Sequence, residues 1–218
     1  MDTERGNSGD ETSSKDGYGE LNEMQKDVLR EVGNIGGGNA ATALSSILTG
    51  RVDMMLPKLQ IVGIESIASI LGGPERQVVG ILVPMEGSVS GMLLFLLDKK
   101  FTHMLINVLL DKNLEGFEEI NEMDLSALKE IGNILAGSYI GAISTLTDLE
   151  IHLLPPDIAV DMAGAILNYP AEMFGAMSDR LIYIEENFFK GDESVKSHLL
   201  IMPKPDSLKL ILSRLGVA

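Results

Sequence analysis

The chain has 218 residues and carries 32 Asp and Glu against 17 Lys and Arg, a formal net charge of -15 that repels phosphate backbones and anionic membrane surfaces and so argues against nucleic-acid and membrane partners. Its 45% hydrophobic content suffices for a substantial core, while the absence of Trp and an aromatic share of 5% speak against an aromatic groove for sugars, bases or proline-rich peptides. With no cysteine there is no disulfide framework or thiolate site, and no apolar signal segment follows Met1-Asp2-Thr3-Glu4-Arg5, so the cytoplasm is the expected compartment.

Residues 1–20 hold Gly, Ser, Asp and Glu with almost no large apolar side chains, and are expected to form a flexible acidic tail. From Leu21 the pattern turns helical. Met24, Val28, Val32 and Ile35 make one apolar stripe expected to face the core, and Asp27, Glu31 and Asn34 make a polar stripe beside it, expected to face outward. The run Gly36-Gly37-Gly38 costs a helix interior roughly 1 kcal/mol per glycine, so the helix should either break there or be held by packing. Helical spacing resumes from Ala40 to Leu48 and stops at Gly50. Beyond Pro57, strands are expected at Leu59 to Ile64, Val78 to Pro84 and Ser90 to Leu97, with a helical turn at Ile67 to Leu71 and a hairpin around Met85 to Ser88. The apolar stretch Val78 to Leu97 is interrupted by Pro84, Glu86, Gly87 and Gly91 and cannot span a bilayer as one helix. An amphipathic helix from Lys99 to Leu110 closes the first half near residue 112.

The second half repeats this order. Asp27-Val28-Leu29-Arg30-Glu31-Val32-Gly33-Asn34 returns 99 positions later as Ser126-Ala127-Leu128-Lys129-Glu130-Ile131-Gly132-Asn133, and each copy meets a proline 23 residues past its Asn, Pro57 and Pro156. A helix from Asn121 to Leu146, strands around Ile158 to Met162, Arg180 to Glu185 and Ser197 to Met202, and a helix Ser207 to Leu215 follow, with a longer hairpin loop from Asn187 to Glu193. The expected architecture is α+β: a two-layer arrangement with internal pseudo-twofold symmetry, its largely antiparallel sheet packed with long helices. Residues 21–218 should form one domain of two repeats, about 21–112 and 113–218, because neither half has strands enough to cover its own sheet.

A Glu and an Asn three apart on a helix usually mark only a solvated face. Here the apolar positions vary between copies while Glu, Gly and Asn recur, which favours a functional or interface role for Glu31, Asn34, Glu130 and Asn133, with the glycine allowing a backbone or bulky anion to come close. Gly36-x-Gly38-x-x-Ala41 has the spacing of a dinucleotide fingerprint but follows a helical stripe rather than a strand. His103, His152 and His198 lack ligand spacing, no nucleophile is evident, and the twelve methionines read as core filler. An exposed carboxylate and amide could complete a partner's site, because an amide can orient a water for in-line attack on a phosphoryl group without adding charge.

The pattern Asp or Ser, three residues, Glu, two residues, Asn, then Pro, present as Asp27/Glu31/Asn34/Pro57 and Ser126/Glu130/Asn133/Pro156, closely resembles the CheC/CheX/FliY phosphatases of chemotaxis, over nearly the whole chain from Leu21. Two motifs in one short chain resemble the CheC type. The resemblance implies hydrolysis of the aspartyl phosphate of the response regulator CheY, with no cofactor of the chain's own and Mg²⁺ in the regulator's acidic pocket. Asn34 and Asn133 would each place the attacking water, Glu31 and Glu130 would contact the regulator's active-site lysine, and Asp27, Ser126, Pro57 and Pro156 would be supporting positions. It also implies the receptor deamidase CheD as a partner. The alternative is a non-catalytic adaptor that holds the regulator or the deamidase through the same helix faces.

Overall fold

A computed structural model describes residues 21–218 apart from 176 and 179, so the expected acidic tail lies outside the described residues. Two long helices dominate it, α1 (Glu23–Ile47) and α4 (Glu122–Thr147). Each starts at an asparagine cap, Asn22 or Asn121, in reciprocal hydrogen bonds with the residue three further on, Gln25 or Asp124. The strands are β1 (Asp53–Met54), β2 (Lys58–Gly63), β3 (Gln77–Gly87) and β4 (Gly91–Leu97) in the first half, and β5 (Ile151–Leu153), β6 (Asp157–Met162), β7 (Arg180–Lys190) and β8 (Glu193–Pro203) in the second. Shorter helices are α2 (Ile64–Ile70), α3 (Lys99–Leu110), α5 (Ala163–Gly175) and α6 (Pro205–Arg214).

All strand pairs are antiparallel, in the order β1-β7-β8-β4-β3-β5, with β2 also on β7 and β6 also on β3. Each half therefore lends its second strand to the other half's hairpin, and the two share one sheet. In the central β4–β8 pair Phe95 sits opposite Leu199, its counterpart in the repeat, so the pseudo-twofold axis passes between them. Strand alternation assigns the faces. A Cβ on Gly132 of α4 would meet Ile81 of β3, whereas a Cβ on the adjacent Gly80 would meet Ile166 of α5. The long helices thus cover one face, and α5, with α2 beside it, adds a partial third layer on the other.

The triple glycine is held by packing, one of its two expected outcomes: α1 runs unbroken through to Ile47 with Gly36 and Gly37 buried. Other local expectations change. The buried stripe of α1 is Leu29, Val32, Gly33, Gly36, Gly37, Ala40, Ala41 and Leu44, rotated from the expected one, and Met24 stands 64% exposed. The segment from Asn187 to Glu193 is not a long loop: β7 continues to Lys190 and turns tightly into β8. Methionine is not simply core filler either, for Met24, Met55, Met123, Met162 and Met173 are all exposed.

Candidate active site

Gly36 lets the motif helices cross closely, since a Cβ there would fall 2.5 Å from the Tyr139 ring of α4, while a Cβ on Gly37 would collide with Met54 of β1 and sit 3.1 Å from the Tyr139 hydroxyl. One to two turns before Gly36, Leu29, Val32 and Gly33 share a small cavity wall with Ile143, one turn after Tyr139. The helices therefore run antiparallel, and the two Glu/Asn pairs sit toward opposite ends of the helix pair.

Glu31 is exposed and Asn34 half-buried, with the Asn34 Nδ2 donating to Glu31 Oε2 at a long 3.4 Å. Glu130 and Asn133 are both exposed, and no such bond joins them among the described residues. Neither pair is consumed by the fold. Each leaves a carboxylate and an amide free to take up groups from another molecule.

The supporting positions separate. Asp27 forms an ion pair with Arg30, while its counterpart Ser126 donates its hydroxyl to the Glu122 carbonyl at 2.9 Å. Pro57 and Pro156 do not reach the pairs through hydrogen bonds; each immediately precedes a strand, β2 at Lys58 and β6 at Asp157. Leu59 of β2 in turn comes within 4.0 Å of where a Gly33 Cβ would sit. The motif glycines face the sheet, not a ligand: a Cβ on Gly33 would meet Ile184 Cδ1 at 3.4 Å, and on Gly132 would meet Ile81 Cγ2 at 2.4 Å. Their role is to let the helix turn that carries Glu and Asn lie down on the sheet.

Two features escaped the sequence reading. The starts of both motif helices are tied down at equivalent positions: Gln25 Nε2 donates to the Val217 carbonyl at 2.9 Å, and the fully buried Asp124 takes Lys112 Nζ at 2.5 Å. Burial pushes the Asp124 carboxyl up, but the Asn121 backbone N–H and the Lys112 ammonium overcome it and hold the group below its ordinary range. Repetition of Asn-Glu-Met at 22–24 and 121–123 was the available signal for the second feature, Met24 and Met123, exposed at 64% and 66% one turn before Asp27 and Ser126. Each lies on the outward stripe that carries the Glu/Asn pair. Among the described residues no group of three His, Asp or Glu is placed to hold a metal ion, and no helix is long and apolar enough to cross a membrane.

A shared antiparallel sheet under two antiparallel, internally repeated helices, each with an outward Glu/Asn pair, defines a pseudo-dimeric α+β protein with two copies of one surface motif. The CheC-like family model matches residues 24–59 and 123–160, segments that each contain one full motif. The CheY-P phosphatase CheC of Bacillus subtilis is 31% identical over 202 residues, which cover 91% of this chain and 97% of that protein. The chain belongs to the CheC-like family. Among solved structures it resembles Thermotoga maritima FliY (TM-score 0.72, 24% identity, 90% of this chain and 98% of that one) and a chain of the CheX–CheY–BeF3–Mg²⁺ complex from Borrelia burgdorferi (TM-score 0.52, 18% identity, 78% and 95%).

Proposed function

We propose that this protein hydrolyses the aspartyl phosphate of a CheY-type response regulator, using Glu31/Asn34 and Glu130/Asn133 to complete the regulator's own site. The observation that carries the reading is the duplicated, outward-facing Glu/Asn pair on helices otherwise occupied with packing, in a chain 31% identical to a CheY-P phosphatase over nearly its whole length. Water attacks phosphorus in line, the bond from phosphorus to the aspartyl oxygen breaks, and inorganic phosphate and a free carboxylate result, with the water's proton passing to phosphate or solvent. The amide of Asn34 or Asn133 accepts from the water and orients it without adding charge to an anionic centre. Glu31 or Glu130 engages the regulator's active-site lysine and fixes the approach of the helix. Positioning of this kind supplies several kcal/mol of barrier reduction.

Mg²⁺, a component of the CheX–CheY–BeF3 complex, belongs to the regulator in this scheme and neutralises phosphoryl charge there. The phosphorylated regulator is the substrate, the receptor deamidase CheD is a second partner, and the reaction takes place in the cytoplasm. Replacing Asn34 and Asn133 together by alanine tests the assignment: hydrolysis of the phosphorylated regulator should fall to its spontaneous rate while the circular dichroism spectrum is unchanged. Hydrolysis that survives the double substitution would remove both asparagines from the mechanism.

A further inference from the structure

The two sites are not supported alike. Next to the first, Tyr139 reaches from α4 into the slot left by Gly36 and Gly37, two and three residues beyond Asn34. Its hydroxyl donates to Glu186 of β7, and both side chains are buried. The ring also lies 6.5 Å from that of Phe95, at the centre of the sheet. The pseudo-twofold axis relates Gly33 to Gly132 on the helices and Ile184 to Ile81 beneath them, and it carries Tyr139 onto Ala40 and Glu186 onto Val83. Ala40 and Val83 are buried and apolar, so the second site has no counterpart of this contact. Tyr139 itself stands six residues, about 9 Å, along α4 from Asn133, and so lies nearer the first site.

We propose that Tyr139 and Glu186 are positioning residues for the Glu31/Asn34 site alone: the tyrosine, pinned by the carboxyl, fixes where α1 rests on α4 at the turn after Asn34. This rests on the function proposed above. The surroundings of Glu186 make the contact sensitive to pH. β8 presents Ser197 directly across the strand pair, Gly37 of α1 and Met54 of β1 lie beside the Tyr139 hydroxyl, and among the described residues Tyr139 is the titratable group bonded to it. Burial pushes the Glu186 carboxyl up to about 7, only partly countered by the hydroxyls of Tyr139 and Ser197. Near neutrality it therefore passes between a neutral acid and a carboxylate, with no cation beside it among the described residues. Burial and the nearby carboxylate also push the Tyr139 hydroxyl well up, so the tyrosine remains a donor throughout.

The experiment isolates each site. In the Asn133→Ala background only the first site works, and in the Asn34→Ala background only the second. Tyr139→Phe, which keeps the ring in its slot, should lower kcat about tenfold in the first background and leave the second within about twofold. Glu186→Gln should remove from the first background an inflection in kcat near pH 7 that the second background never shows. Equal losses in both backgrounds, no loss in the first, an inflection that survives Glu186→Gln, or complete inactivity of the Asn133→Ala protein would each overturn the proposal. An active Asn34→Ala/Asn133→Ala protein would instead overturn the assignment of the sites themselves.

Discussion

Alanine at Gly33 and alanine at Gly132 should have opposite effects on stability, although the two positions are equivalent in the repeat. In a helix interior alanine is favoured over glycine by about 1 kcal/mol. At Gly33 the new methyl would touch Ile184 Cδ1 at 3.4 Å, an ordinary contact with the end of a flexible side chain, so most of that gain is kept. At Gly132 it would fall 2.4 Å from Ile81 Cγ2 and 3.3 Å from Ile81 Cβ, atoms held close to the β3 backbone. Relieving that overlap means lifting α4 or distorting β3, at a cost of about 1–3 kcal/mol that outweighs the helical gain. The expected result is a stabilisation of roughly 0.5–1 kcal/mol for Gly33→Ala and a net loss of up to roughly 2 kcal/mol for Gly132→Ala. Urea unfolding followed by far-ultraviolet circular dichroism measures both, with similar m-values confirming that the native state stays compact. Shifts of the same sign and size would refute the claim that the motif glycine of α4 is held against the sheet more tightly than that of α1.

Asp124→Asn should cost about 1–3 kcal/mol at neutral pH, because it weakens a hydrogen bond from a charged donor inside the protein. The folded-state pKa of Asp124 is lowered, so its contribution is present above the unfolded-state value near 3.8 and is lost as pH falls through the folded value; the Asn variant should lose that part of the acid-side slope in urea midpoints. Met24→Ser with Met123→Ser, which trims two exposed side chains from the outward stripes, should raise KM for the phosphorylated regulator several-fold and leave kcat nearly unchanged, as expected for contacts made equally in the ground and transition states.

Elements with strong periodicity were legible from the sequence. The helix Lys99–Leu110 falls on its expected limits, and α4 begins and ends within a residue of them, because large apolar residues mark one face and a cap marks each start. The buried face of α1 differs from expectation because it is built largely of Gly33, Gly36, Gly37, Ala40 and Ala41, residues that carry little hydrophobic signal but permit close packing, while conspicuous Met24 is on the surface. Helix α5 escaped because Pro170 lies within it and because its register against Gly80 exists only once the sheet has formed. β1 and β5, of two and three residues, are too short to show alternation. At the site, repetition exposed Glu31, Asn34, Glu130 and Asn133, but the Asp124–Lys112 and Tyr139–Glu186 contacts join residues from different elements, and no local pattern announces them.

The central claim is that these helices lend a water-positioning amide to a partner and then release it. The most direct test is release of inorganic phosphate from the phosphorylated regulator with this protein present far below the regulator's concentration. Many phosphates released per molecule of the native chain, and none above the spontaneous rate with the Asn34→Ala/Asn133→Ala variant, is the expected result. Release that stays at the spontaneous rate despite demonstrable binding of the regulator would contradict it and leave a protein that only holds its partner.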